Sequence, residues 1–163
     1  LNTGGSNAPD LVKVLDDGAG SEGVYLYCFD KATEEELLGV AQLPHSYLDG
    51  SSIEPHVHWY PSGVDTGNVV WGLEVTTAAI GGTFGNTSLL TATDAGEGTA
   101  GDHLYLDLGS ISGSGLAESS VMIFRVYRKA GDAADTYDED ACLLELDFHI
   151  QNDRPGTVAE IPD

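Results

Sequence analysis

Apolar residues recur at every second position in segment after segment of this chain, and that periodicity constrains the fold more than any other property. In Val69 to Ile80, Val69, Trp71, Leu73 and Val75 fall on one side of an extended backbone, with Gly72, Glu74 and Thr76 on the other. Ile53 to Tyr60 repeats the pattern, with Ile53, Val57 and Trp59 on one side and Glu54, His56, His58 and Tyr60 on the other. His103 to Leu108 alternates as well. In Cys142 to Ile150 the spacing predicts Leu144, Leu146, Phe148 and Ile150 inward and Glu145, Asp147 and His149 outward. A helix needs a period near 3.6, and no stretch of useful length has it. Thr33-Glu-Glu-Glu is expected to supply one helical turn at most, because Thr can cap and acids suit the positive end.

Further strands are expected over Leu11 to Leu15, Gly23 to Asp30, Leu37 to Leu43, Thr87 to Ala92 and Val121 to Lys129. Eight or nine strands separated by Gly-, Asp- and Pro-rich turns predict an all-β chain, an antiparallel β-sandwich of jelly-roll type. A length of 163 residues suits one domain. That domain is placed at 10–163, behind a flexible arm at 1–9 whose composition, Leu-Asn-Thr-Gly-Gly-Ser-Asn-Ala-Pro, is small and turn-prone.

The charge balance excludes whole classes of partner. With 27 acidic and 6 basic residues the net charge is -21, and the Lys/Arg footprint needed for phosphate backbones or anionic lipid heads is missing. Direct nucleic-acid binding and membrane binding are therefore not expected, and no apolar run approaches the ~20 residues that span a bilayer. Cys28 and Cys142 each sit in an apolar strand-like run and read more readily as buried free thiols than as a bridge.

Three of the five histidines fall between Leu43 and Pro61. His56 and His58, two apart on a strand, project to the same side and form the one pair with metal-ligand spacing. A third ligand is available from His103 or His149, and carboxylates from Glu54, Glu145 or Asp147. The alternative is that these imidazoles only hydrogen-bond to acids across the sheet. Trp59 and Trp71 are read as core, and Arg125 as a structural cation that needs an acid, Glu145 or Asp147 on the closing strand being suited. The loop Gly131 to Asp140 lacks the ligand spacing of an EF-hand and reads as a solvated acidic loop. There is no Gly-x-Ser-x-Gly elbow, dinucleotide fingerprint or phosphate loop. The chain reads as a non-enzyme with no catalytic residues and no cofactor.

Several blocks carry a resemblance: Gly23-Val-Tyr-Leu-Tyr-Cys-Phe-Asp-Lys, Ala41-Gln-Leu-Pro-His-Ser-Tyr, Ile53-Glu-Pro-His-Val-His-Trp, Val70-Trp-Gly-Leu-Glu, Gly82-Thr-Phe-Gly-Asn-Thr and Leu143-Leu-Glu-Leu-Asp-Phe-His-Ile. Across about Gly18 to Gly156 the chain resembles a group of virion structural proteins of tailed bacteriophages. The resemblance implies a capsid decoration, or cement, protein that sits on the outer surface of the phage head. Such proteins act as homotrimers that clamp the major capsid protein. On this view the arm, with Leu1, Asn2, Thr3 and Pro9, orders on the capsid. Two other readings stay open. One is a receptor- or glycan-binding fibre tip, which would expose aromatics such as Trp59, Tyr60 and Tyr137. The other is a cupin-like metal protein built on His56 and His58.

Overall fold

The computed structural model describes residues 7–153 and 155. Leu1, Asn2 and Thr3 of the expected arm lie outside them. Its inner end is tied down: Pro9 is buried, and the Asn7 carbonyl accepts a hydrogen bond of 2.9 Å from the Glu36 amide.

The described chain is all-β, with nine strands: β1 (Asp10–Leu15), β2 (Val24–Phe29), β3 (Glu35–Gln42), β4 (Glu54–Pro61), β5 (Asn68–Ala78), β6 (Ser88–Ala95), β7 (Leu104–Asp107), β8 (Val121–Arg128) and β9 (Ala141–His149). They form two antiparallel sheets, ordered β1-β2-β9-β4-β7 and β3-β8-β5-β6. Strand β2 pairs with β9, β3 with β8, β4 with β7 and β5 with β6. The chain from β2 to β9 is thus a long hairpin folded over on itself, the jelly-roll winding. Strand β1 adds one ribbon to the edge at β2.

Alternation explains why the sheets stack. The inward residues Phe29, Leu37, Val57, Trp59, Val69, Trp71, Leu73, Val126 and Leu143 belong to one buried cluster. Trp71 meets Phe29 edge-on at 5.1 Å, and Trp59 meets Tyr137 edge-on at 5.7 Å. The Trp59 indole crosses from one sheet to the other, its N–H donating to Asp94 on β6 over 2.8 Å, so its polar atom is satisfied inside the core.

Four expectations need correction. Leu144 does not point inward. The β4–β9 register shifts where His58 pairs with Glu145 and Trp59 with Leu143, so Leu144 is the extra residue of a bulge and is exposed, and Leu143 takes its place in the core. The turn at Thr33 is not helical. The Asp30 carboxylate accepts from the Ala32 and Thr33 amides, a local bond that competes with a helix, and the strand resumes at Glu35. Cys28 and Cys142 are not free thiols: they face one another across β2 and β9 and are joined in a disulfide.

The acidic loop, finally, is not simply solvated. Asp135 is buried and receives two hydrogen bonds from Arg128, at 2.8 and 3.1 Å, and one from the Val70 amide. The remaining Arg128 donors go to the carbonyls of Tyr137, Glu139 and Phe29. One guanidinium therefore holds the whole loop against the end of the sandwich. Lys129 with Asp132 and Lys31 with Asp138 fasten its rim.

Candidate functional site

The outward face of β4 is where the histidines gather. His56 stands opposite Asp147 of β9 and Asp107 of β7; His58 stands opposite Glu145 of β9 and Tyr105 of β7. Because side chains two apart on β9 share a face, Asp147 and His149 both lie beside His56. His56 Nδ1 is 3.5 Å from Asp147 Oδ1, and His149 Nε2 is 3.1 Å from Asp147 Oδ2. The rings of His56 and His149 meet edge-on, 4.1 Å between centroids. One potential ligand atom from each of His56, Asp147 and His149 falls within 4.8 Å of the other two.

His58 takes a different place. Its Nε2 is 3.8 Å from Asp147 Oδ2, too long for a hydrogen bond, and its Nδ1 is 2.8 Å from His103 Nε2. The pair expected from spacing, His56 and His58, is therefore divided between two groups: His56 with Asp147 and His149, His58 with His103. His103 and His149, both named as possible third ligands, fall on opposite sides of β4. Spacing within one strand shows which imidazoles share a face, but the bulge and the strand order decide which of them meet. Beside His58 a shallow pocket of ≈ 310 Å³ is lined by Tyr60, His103, Leu144 and Glu145 among others.

His56 is buried, His58 and Asp147 are half-buried, and His149 is open to solvent, so the cluster grades from the sheet outward. Tyr105 packs on both strand histidines, its ring centroid 4.9 Å from that of His56 and 5.5 Å from that of His58. Glu54, Asp107 and Glu145 are exposed on the same face and add negative charge around it. Two buried histidine–carboxylate atoms facing each other suit a cation bound from outside, since imidazole and carboxylate are the donors that first-row divalent metals accept.

Arg125 sits on the other sheet, not beside Glu145 or Asp147. Strands β8 and β9 follow one another in sequence but lie in opposite sheets, so the closing strand cannot reach it. Its acids are Glu36 of β3, at 2.6 Å, and Glu74 of β5, at 2.8 Å. Burial works to lower the guanidinium pKa, but the hydrogen bonds to Glu36 and Glu74 outweigh it and the pKa is raised. Glu74 is correspondingly held below the usual carboxylate range by hydrogen bonds from Thr87 and Arg125. The guanidinium stacks 4.1 Å from the Tyr127 ring centroid, and that ring lies over Gly72, where a Cβ would collide with it. Sequence reading singled out Arg125 and passed over Arg128, the more deeply buried of the two. Its position opposite Glu35 at the end of a strand gave no sign that a loop would fold over it.

Trp59 and Tyr137 are fully buried and only Tyr60 is partly exposed, so two of the three aromatics that a sugar-binding surface would present face the core.

No family model matches the chain, and no curated protein matches it. Among solved structures it is similar in fold to the carbohydrate-binding module TmCBM61 in complex with β-1,4-galactotriose, with TM-score 0.38 and 12% identity, covering 88% of this chain and 81% of that one. It is also similar to a chain of infectious bursal disease virus Gx strain, with TM-score 0.36 and 12% identity, covering 85% of this chain and 36% of that one. The Gt strain of that virus gives TM-score 0.34 and 11% identity, covering 86% and 37%. The chain spans little more than a third of the viral chains, and scores at this level carry no argument about function.

Proposed function

We propose that this chain is a structural protein of a phage virion, a decoration protein that docks on the assembled head shell as a homotrimer and stabilises it against internal DNA pressure. The observation that carries this reading is the β1–β2 ribbon. Among the described residues strand β1 is an edge strand, paired on one side only, and Leu11, Val12 and Leu15 are exposed on it, next to exposed Val24 and Tyr25 of β2. An edge with unpaired backbone groups and apolar side chains in water is what natural proteins cover, by pairing or by docking. Added-strand pairing with a shell protein would use both properties at once. Three such contacts on a trimer would add by multivalency, so each can be weak.

The charge pattern supports docking on protein and not on nucleic acid. Every lysine and arginine among the described residues is engaged in an ion pair within the chain. None of them is left over for a phosphate.

The test is co-sedimentation of the purified chain with heads stripped of decoration, together with cryo-electron microscopy of the parent virion. Wild type should pellet with heads, and Leu11→Asp with Leu15→Asp should remain folded and stay in the supernatant. Equal pelleting of the variant would remove the ribbon from the interface. Density for the chain at the tail tip would replace the head reading with the fibre reading.

A further inference from the structure

Hydrogen bonding within the chain does not complete the cluster on the outer face of the five-stranded sheet. His56 Nδ1 and Asp147 Oδ1 are both buried without a hydrogen-bond partner, although they lie 3.5 Å apart. His56 as a residue is only 4% exposed, so solvent does not substitute. Buried polar atoms left in this way are rare in folded proteins and call for something to fill the gap between them.

We propose that His56, Asp147 and His149 form a binding site for one first-row divalent transition metal ion, with Zn²⁺ as the reference ion. Two imidazoles and one carboxylate are the donor set of such ions, whereas Mg²⁺ and Ca²⁺ require oxygen nearly throughout. The framework is rigid where it needs to be: His56 and Asp147 are a cross-strand pair between two interior strands, and His149 follows two residues on from Asp147. Metal–nitrogen and metal–oxygen bonds of about 2.0–2.2 Å place neighbouring ligands about 3.3–3.6 Å apart in a tetrahedron. His56 Nδ1 is 3.5 Å from Asp147 Oδ1, within that range, while His149 Nε2 is hydrogen-bonded to the other oxygen, Oδ2, at 3.1 Å and would exchange that bond for the ion. His149, 60% exposed, has the freedom to close the remaining gap to His56.

The fourth position faces outward, toward water or toward a side chain of a docked protein. His58, hydrogen-bonded to His103 and 3.8 Å from Asp147 Oδ2, the oxygen that His149 contacts, is a positioning neighbour of the carboxylate and not a ligand. None of the three ligands is one of the exposed ribbon residues Leu11, Val12, Leu15, Val24 and Tyr25, so metal binding and docking are tested by separate variants.

The experiment uses the full chain without a histidine tag, freed of metal by chelation. It is titrated with Zn²⁺ by calorimetry and with Co²⁺ by visible absorption, alongside Asp147→Asn, His149→Ala and His58→Ala. The expected result is one ion per chain. Affinity should fall more than about a hundredfold in D147N and H149A and no more than about 10–100-fold in H58A, the range for a group outside the ligand set. Zn²⁺ should raise the melting temperature of wild type and leave that of H149A unchanged, and His149 is exposed enough for the variant to fold. No binding, or several weak ions bound equally by wild type and D147N, overturns the site. A loss in H58A equal to that in H149A overturns the ligand set and moves the ion toward β7.

Discussion

Strands β8 and β4 both run through the interior of a sheet, and both carry chemistry-bearing side chains, Arg125 and the β4 histidines on outer faces and Arg128 buried on the inner one, yet one set is finished and the other is not. On β8 both guanidiniums meet acceptors: Arg125 has Glu36 and Glu74, and Arg128 has Asp135 and three carbonyls. On β4 the reverse holds, since His56 Nδ1 faces Asp147 Oδ1 and neither has a hydrogen bond. Cations supplied by the chain close the β8 network and make it architecture. On β4 a ring nitrogen and a carboxylate oxygen face one another unbonded, which leaves room there for a cation from outside. In so acidic a chain, with 6 basic residues in all, internal cations are scarce enough that where they go is informative.

The contrast can be broken most sharply at Arg128. Replacing it in Arg128→Met leaves Asp135 buried and uncompensated, and should cost about 3–5 kcal/mol in urea unfolding. A loss under about 1 kcal/mol would show that the β8 network is ornamental. Next in size, Gly72→Val places a side chain where the Tyr127 ring lies under the Arg125 guanidinium, and overpacking there should cost about 1–3 kcal/mol. On the β4 side the expectation is the opposite. The double substitution His56→Leu with Asp147→Leu should leave the metal-free protein within about 1 kcal/mol of wild type, because it removes both unsatisfied atoms together. A large loss would mean that the pair is already complete.

The smallest effect belongs to Arg125→Leu, about 0–1 kcal/mol, since this pair is partly open to solvent. Its pH dependence is the more useful readout. Glu74 has a folded pKa below its ordinary value of 4.5, so its contribution is fully present above that value and is lost as pH falls through the lower, folded one. The stability difference between wild type and Arg125→Leu should therefore be constant near neutrality and close in acid. A difference that grows in acid would reverse the sign and remove Glu74 from the account.

Strand positions were legible because alternation is local: Trp59 and Trp71 are fully buried, as their neighbours at two-residue spacing imply. His56 and His58 share a face for the same reason. What joins them to other strands was not legible. The bulge at Leu144 cannot be seen in the alternation of Leu143 to Ile150, and it changes which side chain enters the core. Arg125 meets Glu36 and Glu74 because β8 lies between β3 and β5, an order set by the winding of the whole chain. Cys28 and Cys142 lie 114 positions apart, and only the pairing of the first and last jelly-roll strands brings them together. His149 entered the cluster through the same strand order, although its Asp-x-His spacing to Asp147 is visible once β9 is known to lie beside β4.

The covalent bond between those two cysteines turns everything from β2 to β9 into a closed ring. A protease that nicks any connecting loop between them produces two fragments that remain chained together, and release requires reduction as well as cutting. Damage to the exposed turns is thereby kept from shedding material, a form of wear resistance written into the way the ends of the winding meet.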